Sequence, residues 1–140
     1  MRKIIAVLLA VAVSVSVCGY CAVCAASETK VVAYYFHGAF RCYTCNVMEQ
    51  YIKEVMKENF KDALAEGKLE FKPTNVEERG NEHFIKDYQL YSKALILSLV
   101  KDGKEARSRN LMRIWEYAGN KKRFFDYVTA ETNALLEEAK

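Results

Sequence analysis

Two cysteines separated by two residues, Cys42 and Cys45, have the types and the spacing for reactive chemistry, and they lie in the stretch FHGAFRCYTC at residues 36–45. Such a pair forms either a small redox-active loop or half of a metal site. A disulfide stabilises a fold mainly by closing a long loop, so this short loop contributes little stability. The spacing therefore favours a chemical role for the pair.

The N-terminal segment has the pattern of a secretory leader. Arg2 and Lys3 precede a long apolar stretch that ends in small residues near position 26, as expected for a segment that a signal peptidase removes. We predict a signal peptide over residues 1–26 that is cleaved between Cys24 and Ser27. The protein is then exported, to the periplasm or another extracytoplasmic compartment.

A retained N-terminal anchor is the alternative, because residues 4–26 carry no charge and are about long enough to cross a bilayer. Cleavage would also change the thiols of the protein. Cys18, Cys21 and Cys24 belong to the leader, so the mature domain over residues 27–140 would keep only the Cys-x-x-Cys pair.

The mature chain is long enough for one domain and is nearly neutral. Roughly 114 residues can bury a single core of modest size. Loss of Arg2 and Lys3 reduces the 21 basic residues to 19, against 18 acidic residues. The runs at 107–113 and 121–123 are locally basic, but acidic residues are interleaved through the rest of the chain. Such runs are typical of solvated faces. We therefore do not expect nucleic acid as a partner.

Strand and helix signals alternate in the first half of this domain. KVVAYYF at 30–36 is rich in β-forming residues and predicts a buried strand. From Val47 the apolar residues follow the helical repeat, with Glu49 outside the apolar stripe. This predicts a helix that has both cysteines at its start and ends near Gly67. A second strand is predicted in KLEFKPTNV at 68–76.

The second half predicts a short helix at 81–90, a strand at 95–100 and a hairpin turn at Asp102 and Gly103. Asn120 can cap a final helix. The expected buried stripe of that helix comprises Phe125, Val128, Leu135 and Leu136. The order of elements predicts an α/β fold in which helices flank a central mixed sheet of about four strands.

With these elements in order, the chain resembles the thioredoxin superfamily. The resemblance is carried by VVAYYF, HGAFRCYTC and YQLYSKALILSLVKDGKEA and covers roughly residues 30–138. It implies a thioredoxin-like three-layer sandwich with a redox-active disulfide, in which Cys42 is the attacking thiol and Cys45 the resolving one. A helix N-terminus favours a thiolate, and Arg41 adds a nearby positive charge, so both should lower the pKa of Cys42.

Two positions depart from the superfamily pattern. Pro73 is the only proline, so the usual cis proline opposite the disulfide is missing. Its place falls on Ala94 when counted from Tyr88 and on Leu95 when counted back from Gly103. We predict a trans bond at either position, because a cis bond without proline costs about 3 kcal/mol. The missing ring leaves room for the metal or cluster alternative.

Phe36 stands where many members of the superfamily carry a buried acid, and His37 follows it. His37 is a candidate proton shuttle for Cys45; alternatively, it satisfies a backbone carbonyl at the strand end. Tyr43 and Thr44, between the cysteines, are expected to tune the redox potential, in a direction that their identities do not assign.

The predicted function is that of a thiol–disulfide oxidoreductase that exchanges electrons with protein thiols and disulfides. A membrane redox protein is a candidate partner, and no cofactor is expected. One alternative is a protein that binds a soft metal or a cluster through Cys42, Cys45 and His37. Another is a redox-inactive interaction module with the same fold.

Overall fold

The computed structural model of the chain describes residues 28–140, and the predicted leader with its cleavage site lies outside the described residues. Four strands form one sheet in the order β2-β1-β3-β4. They are β1 (Thr29–His37), β2 (Leu69–Asn75), β3 (Ala94–Lys101) and β4 (Lys104–Asn110). β1 is parallel to β2, whereas β3 is antiparallel to both β1 and β4. The predicted mixed four-stranded sheet is therefore confirmed.

Helices connect and cover these strands. They are α1 (Tyr43–Asn59), α2 (Lys61–Ala65), α3 (His83–Asp87), α4 (Ile114–Tyr117) and α5 (Lys121–Glu138). Parallel strands need a long crossover connection, which α1 and α2 supply between β1 and β2. Within residues 28–140, none of the helices combines the length and the apolar character needed to cross a membrane.

The alternation of side chains in β1 divides the core between the two faces of the sheet. Val31, Ala33 and Tyr35 belong to the main core, where α1 and α5 pack. Tyr34 and Phe36 point to the opposite face and pack with side chains from α3 and its flanking loops. The result is the predicted three-layer thioredoxin-like sandwich.

The hairpin between β3 and β4 forms where the sequence predicts it. Asp102 and Gly103 have φ angles of 51° and 75°, and positive φ at both central residues is what a type I′ hairpin turn requires. An Asp-Gly pair supplies this conformation at low cost. The turn thereby sets the antiparallel pairing next to it, of Lys101 with Lys104 and of Val100 with Glu105.

Several features differ from the sequence prediction. The helix expected to end near Gly67 ends at Asn59, and the separate short helix α2 follows it. Neither α2 nor α4 was predicted. On α5, Phe124 rather than Phe125 is fully buried, with Val128 and Leu135, while Phe125 is half-buried. Phe124 lies four residues before Val128 and extends the buried stripe by one turn, whereas Phe125 and Leu136 are only partly buried at its edge. Both phenylalanine rings contact Tyr51 of α1, with ring-centroid separations of 5.4 Å for Phe124 and 6.1 Å for Phe125.

The outer strands of the sheet carry a charged or proline-containing sequence. β2 reads LEFKPTN and places Pro73 at one edge. β4 reads KEARSRN at the other edge, with a register irregularity opposite Leu99 and Val100. Most residues of β4 are exposed, so this strand contributes little to either core.

Candidate functional site

Cys42 caps the N-terminus of α1. Its backbone is extended (φ −73°, ψ 163°), and its sulfur accepts a hydrogen bond from the Cys45 N–H at 3.2 Å. The first backbone bond of the helix follows, from the Asn46 N–H to the Cys42 carbonyl at 3.1 Å. The first turn contains no acidic residue, so nothing within it offsets the positive helix terminus. The Cys42 sulfur therefore lies in a field that favours negative charge.

The two cysteines form a disulfide, with an S–S distance of 2.01 Å and a Cα–Cα distance of 5.0 Å. Cys42 is half-buried, whereas Cys45 is completely buried in the side of α1 that faces the sheet. An incoming thiolate can therefore approach Cys42 more easily than Cys45. This arrangement can carry two-electron thiol–disulfide exchange, in which one sulfur is attacked and the other leaves.

Tyr35 of β1 contacts the first turn of α1 through a buried hydrogen bond. Its hydroxyl donates a hydrogen bond of 2.9 Å to the Cys45 carbonyl, and the side chain is fully buried. Burial raises the pKa of Tyr35 to about 12, and the positive charge of Arg41 opposes this rise. The phenol therefore stays neutral at physiological pH and remains a hydrogen-bond donor.

Replacing Tyr35 by phenylalanine is expected to lower the free energy of unfolding by about 1 kcal/mol at pH 7, because one buried hydrogen bond is lost. The difference from wild type should shrink above pH 10. Tyr35 loses its proton near pH 10 in the unfolded chain but keeps it to about pH 12 in the folded protein. Its contribution to wild-type stability therefore falls between about pH 10 and pH 12. Denaturant unfolding at pH 8 and pH 10.5 measures both effects.

The matched control is Tyr43→Phe, because Tyr43 is 84% exposed and its hydroxyl lies outside the core. It should leave stability nearly unchanged at both pH values. A Tyr35→Phe variant that is as stable as wild type at pH 8 would contradict the proposed support of the helix start.

Arg41, which directly precedes Cys42 in the sequence, forms a polar cluster with His37. Arg41 Nη1 is 3.2 Å from His37 Nε2, and His37 Nδ1 is 2.9 Å from the Gly38 carbonyl oxygen. Because a carbonyl only accepts, Nδ1 carries the proton in that bond. Arg41 Nη1 is nearly equidistant from the two ring nitrogens, at 3.2 Å from Nε2 and 3.3 Å from Nδ1, so it contacts the imidazole ring as a whole. His37 thus contacts a backbone carbonyl, the alternative that we considered for it. Its role as a proton shuttle stays a prediction.

Glu49 belongs to the same cluster, although its position outside the apolar stripe of α1 did not indicate this. Its carboxylate pairs with Arg41 and, at 2.5 Å, with Lys53 Nζ, and its side chain is only 12% exposed. Two cations thus hold the carboxylate against the protein. The spacing in the sequence could have indicated this position. Glu49 follows Cys45 by four residues and Cys42 by seven, and residues at these separations share one face of a helix.

The loop before β3 contacts the segment that precedes the cysteine pair. All peptide bonds among the described residues are trans, as predicted for the bond before Ala94. Ala94 is buried and pairs with Phe36 in the sheet. Lys93 Nζ lies 6.0 Å from the ring centre of Phe40, two residues before Cys42.

Trp115 of α4 fixes this loop. Its indole N–H donates to the Lys93 carbonyl oxygen at 2.9 Å. A shallow cavity of about 170 Å³ separates the loop that contains Lys93 from His37 and Gly38. The two loops next to the disulfide are thus held apart by a small open cleft.

The remaining predicted site residues lie at the surface of the helix start. Tyr43 is exposed and Thr44 is half-buried, so both are accessible next to Cys42. In the part of the chain from residue 28 onward, no group of three or more His, Cys, Asp or Glu side chains is placed to hold a metal ion.

Comparisons with known proteins give structural similarity only. No protein-family profile and no curated protein matches the chain. A thioredoxin of Fasciola hepatica is 18% identical, with 68% of this chain and 81% of that chain covered and a TM-score of 0.41. A structure described as a malarial protein is 14% identical, with 64% of this chain and 97% of that chain covered and a TM-score of 0.39. Thioredoxin O2 of Arabidopsis thaliana in its oxidized state is 13% identical, with 69% of this chain and 76% of that chain covered and a TM-score of 0.38.

At such low identities and TM-scores these similarities carry no argument about activity. The strand order, the parallel and antiparallel pairings and the position of the disulfide identify the fold. Residues 28–140 form a thioredoxin-like fold with a Cys42–Cys45 disulfide at the N-terminus of its first helix.

Proposed function

We propose that the protein is a thiol–disulfide oxidoreductase of an exported compartment. Cys42 is the attacking thiol and Cys45 the resolving one, and the substrates are protein dithiols and disulfides. The contrast between a half-buried Cys42 at a helix N-terminus and a fully buried Cys45 carries this proposal. The predicted leader supports the exported location.

The arrangement supplies what each step of exchange needs. In the reductive direction, a Cys42 thiolate attacks a substrate disulfide, one substrate sulfur leaves as a thiolate, and a mixed disulfide forms. Cys45 then attacks the Cys42 sulfur, which releases the second substrate thiol and restores the internal disulfide. The helix N-terminus stabilises the Cys42 thiolate at the start of this sequence.

A redox titration against glutathione tests the proposal. We expect a reversible two-electron couple with a potential between about −120 and −300 mV, the range spanned by dithiols of this kind. The oxidised and reduced forms can be counted by mass spectrometry of the peptide that contains both cysteines. Cys42→Ser should show no intramolecular couple, and a wild-type pair that cannot be reduced and reoxidised in this range would contradict the proposal.

A further inference from the structure

The carboxylate of Glu49 is largely withdrawn from water between two cations. Lys53 Nζ lies 2.5 Å from its Oε1, and Arg41 Nη2 pairs with its Oε2. A carboxylate with a side-chain exposure of 12% is expected only where its charge is compensated. Arg41 is therefore a main partner of this buried charge, although it directly precedes Cys42 in the sequence.

The guanidinium of Arg41 still has an unused donor. Its Nε is buried and has no hydrogen-bond partner among the described atoms, while Nη1 contacts His37 and Nη2 pairs with Glu49. A buried donor without a partner costs free energy. Glu49 Oε2, which pairs with Nη2, likewise makes no hydrogen bond. Release of the guanidinium from Glu49 would make it available to a thiolate on the adjacent Cys42, because a charged acceptor makes the stronger hydrogen bond.

The charge of Arg41 also acts on Tyr35, which hydrogen-bonds to the first turn of α1. It opposes the burial-induced rise in the pKa of Tyr35, whose hydroxyl bonds to the Cys45 carbonyl. The other titratable or charged groups around the disulfide loop come from four parts of the fold. They include His37 at the end of β1, Lys53 on α1, Glu77 against Gly38, and Lys93 beside Phe40.

Building on the proposed function, we propose that Glu49 is a positioning residue that controls the redox equilibrium of the Cys42–Cys45 pair through Arg41. By pairing with the guanidinium, the Glu49 carboxylate compensates its charge. The thiolate of the reduced state then receives less stabilisation than an unpaired arginine would give. Glu49 thereby favours the disulfide form.

The affected equilibrium is the exchange with glutathione. The Cys42–Cys45 disulfide and two glutathione thiols give the reduced protein and glutathione disulfide, so two electrons pass to the protein sulfurs. The two thiols supply two protons: one ends on Cys45, and the other is released to water when Cys42 remains a thiolate. Stabilising that thiolate moves the equilibrium toward reduced protein.

The test uses Glu49→Gln in the protein as exported by its expression host, equilibrated with glutathione at pH 7. The equilibrium constant for reduction should rise about threefold or more, which corresponds to about 14 mV at 29.6 mV per factor of ten. The pH midpoint for alkylation of Cys42 in the reduced protein should fall, because the freed arginine favours the thiolate. Mass spectrometry of the peptide containing both cysteines gives both readings.

Glu54→Gln is the matched control. Glu54 lies on the same helix and pairs with Lys121 at 2.5 Å, with a side-chain exposure of 27%. The same change of charge there should leave the redox equilibrium unchanged. A shift equal to that of Glu49→Gln would show a general effect of helix charge and would overturn the assignment.

The dependence on Arg41 is tested by repeating Glu49→Gln in an Arg41→Gln background. If Glu49 acts through the guanidinium, its effect on the equilibrium should fall to less than half. An undiminished effect would mean that the carboxylate acts directly on the sulfur, which would overturn the positioning role. Melting curves of each variant confirm that folded proteins are compared.

If Glu49→Gln fails to fold, the same redox equilibrium is measured on Lys53→Gln. Lys53 is 56% exposed, so the fold tolerates its replacement. Glu49 then pairs with Arg41 alone, and the equilibrium should move toward the disulfide unless Arg41 is also replaced. No movement would overturn the inference. A wild-type protein without any reversible couple would instead refute the proposed function, and this inference with it.

Discussion

Replacing Cys45 by serine is expected to abolish two-electron turnover and to trap Cys42 in mixed disulfides. Cys42 is accessible at the start of α1 and can still attack a substrate disulfide, whereas the buried sulfur that would release the substrate is gone. The reduced variant, incubated with a disulfide-linked peptide, should accumulate a one-to-one adduct at Cys42. Non-reducing electrophoresis and peptide mass spectrometry detect this adduct.

Cys42→Ser is the matched control, because it removes one sulfur of the same pair. It should form little adduct, since Cys45 is completely buried. Wild-type protein should turn over without accumulating adduct. Equal adduct yields from the two serine variants would contradict the assignment of attacking and resolving thiols.

Replacing Ala94 by proline is expected to destabilise the protein by about 3 kcal/mol and to lower its melting temperature by roughly 10 °C. Ala94 is the first residue of the central strand β3 and is packed with Phe36 and Ile96. Proline adds a ring to this packed cluster, removes a backbone N–H and restricts Lys93 before it. Thermal unfolding followed by circular dichroism measures the change.

Ala94→Val separates the causes, because valine adds volume and keeps the N–H. It should cost less than proline. An unchanged or higher melting temperature for Ala94→Pro would show that the loop next to the disulfide is already shaped for proline, as in the superfamily pattern.

Much of the fold could be predicted because its signals are local. The β-forming run of β1, the helical repeat of α1 and the Asp102-Gly103 turn each lie within a short stretch of sequence. Their order is enough to define a mixed sheet with helices on both faces. The short helices α2 and α4 have too few residues to show a repeat, and tertiary packing rather than propensity stabilises helices of this length.

The candidate site was predicted only where neighbours in the sequence are also neighbours in space. The cysteine pair and its helix start meet this condition. The hydrogen bond from Tyr35 to the Cys45 carbonyl joins a strand to a helix ten residues away, and the orientation of Trp115 toward Lys93 depends on where α4 packs. Such contacts follow from the assembled fold and leave no periodic pattern in the sequence.

The composition of the two outer strands has a consequence for the behaviour of the protein at high concentration. An exposed strand edge is a template for addition of another chain, and charges, proline and strand irregularities oppose it. β2 has Pro73 at one edge, and β4 has a charged sequence and an irregular register at the other. Both edges are therefore protected against intermolecular β-sheet growth and amyloid-like aggregation.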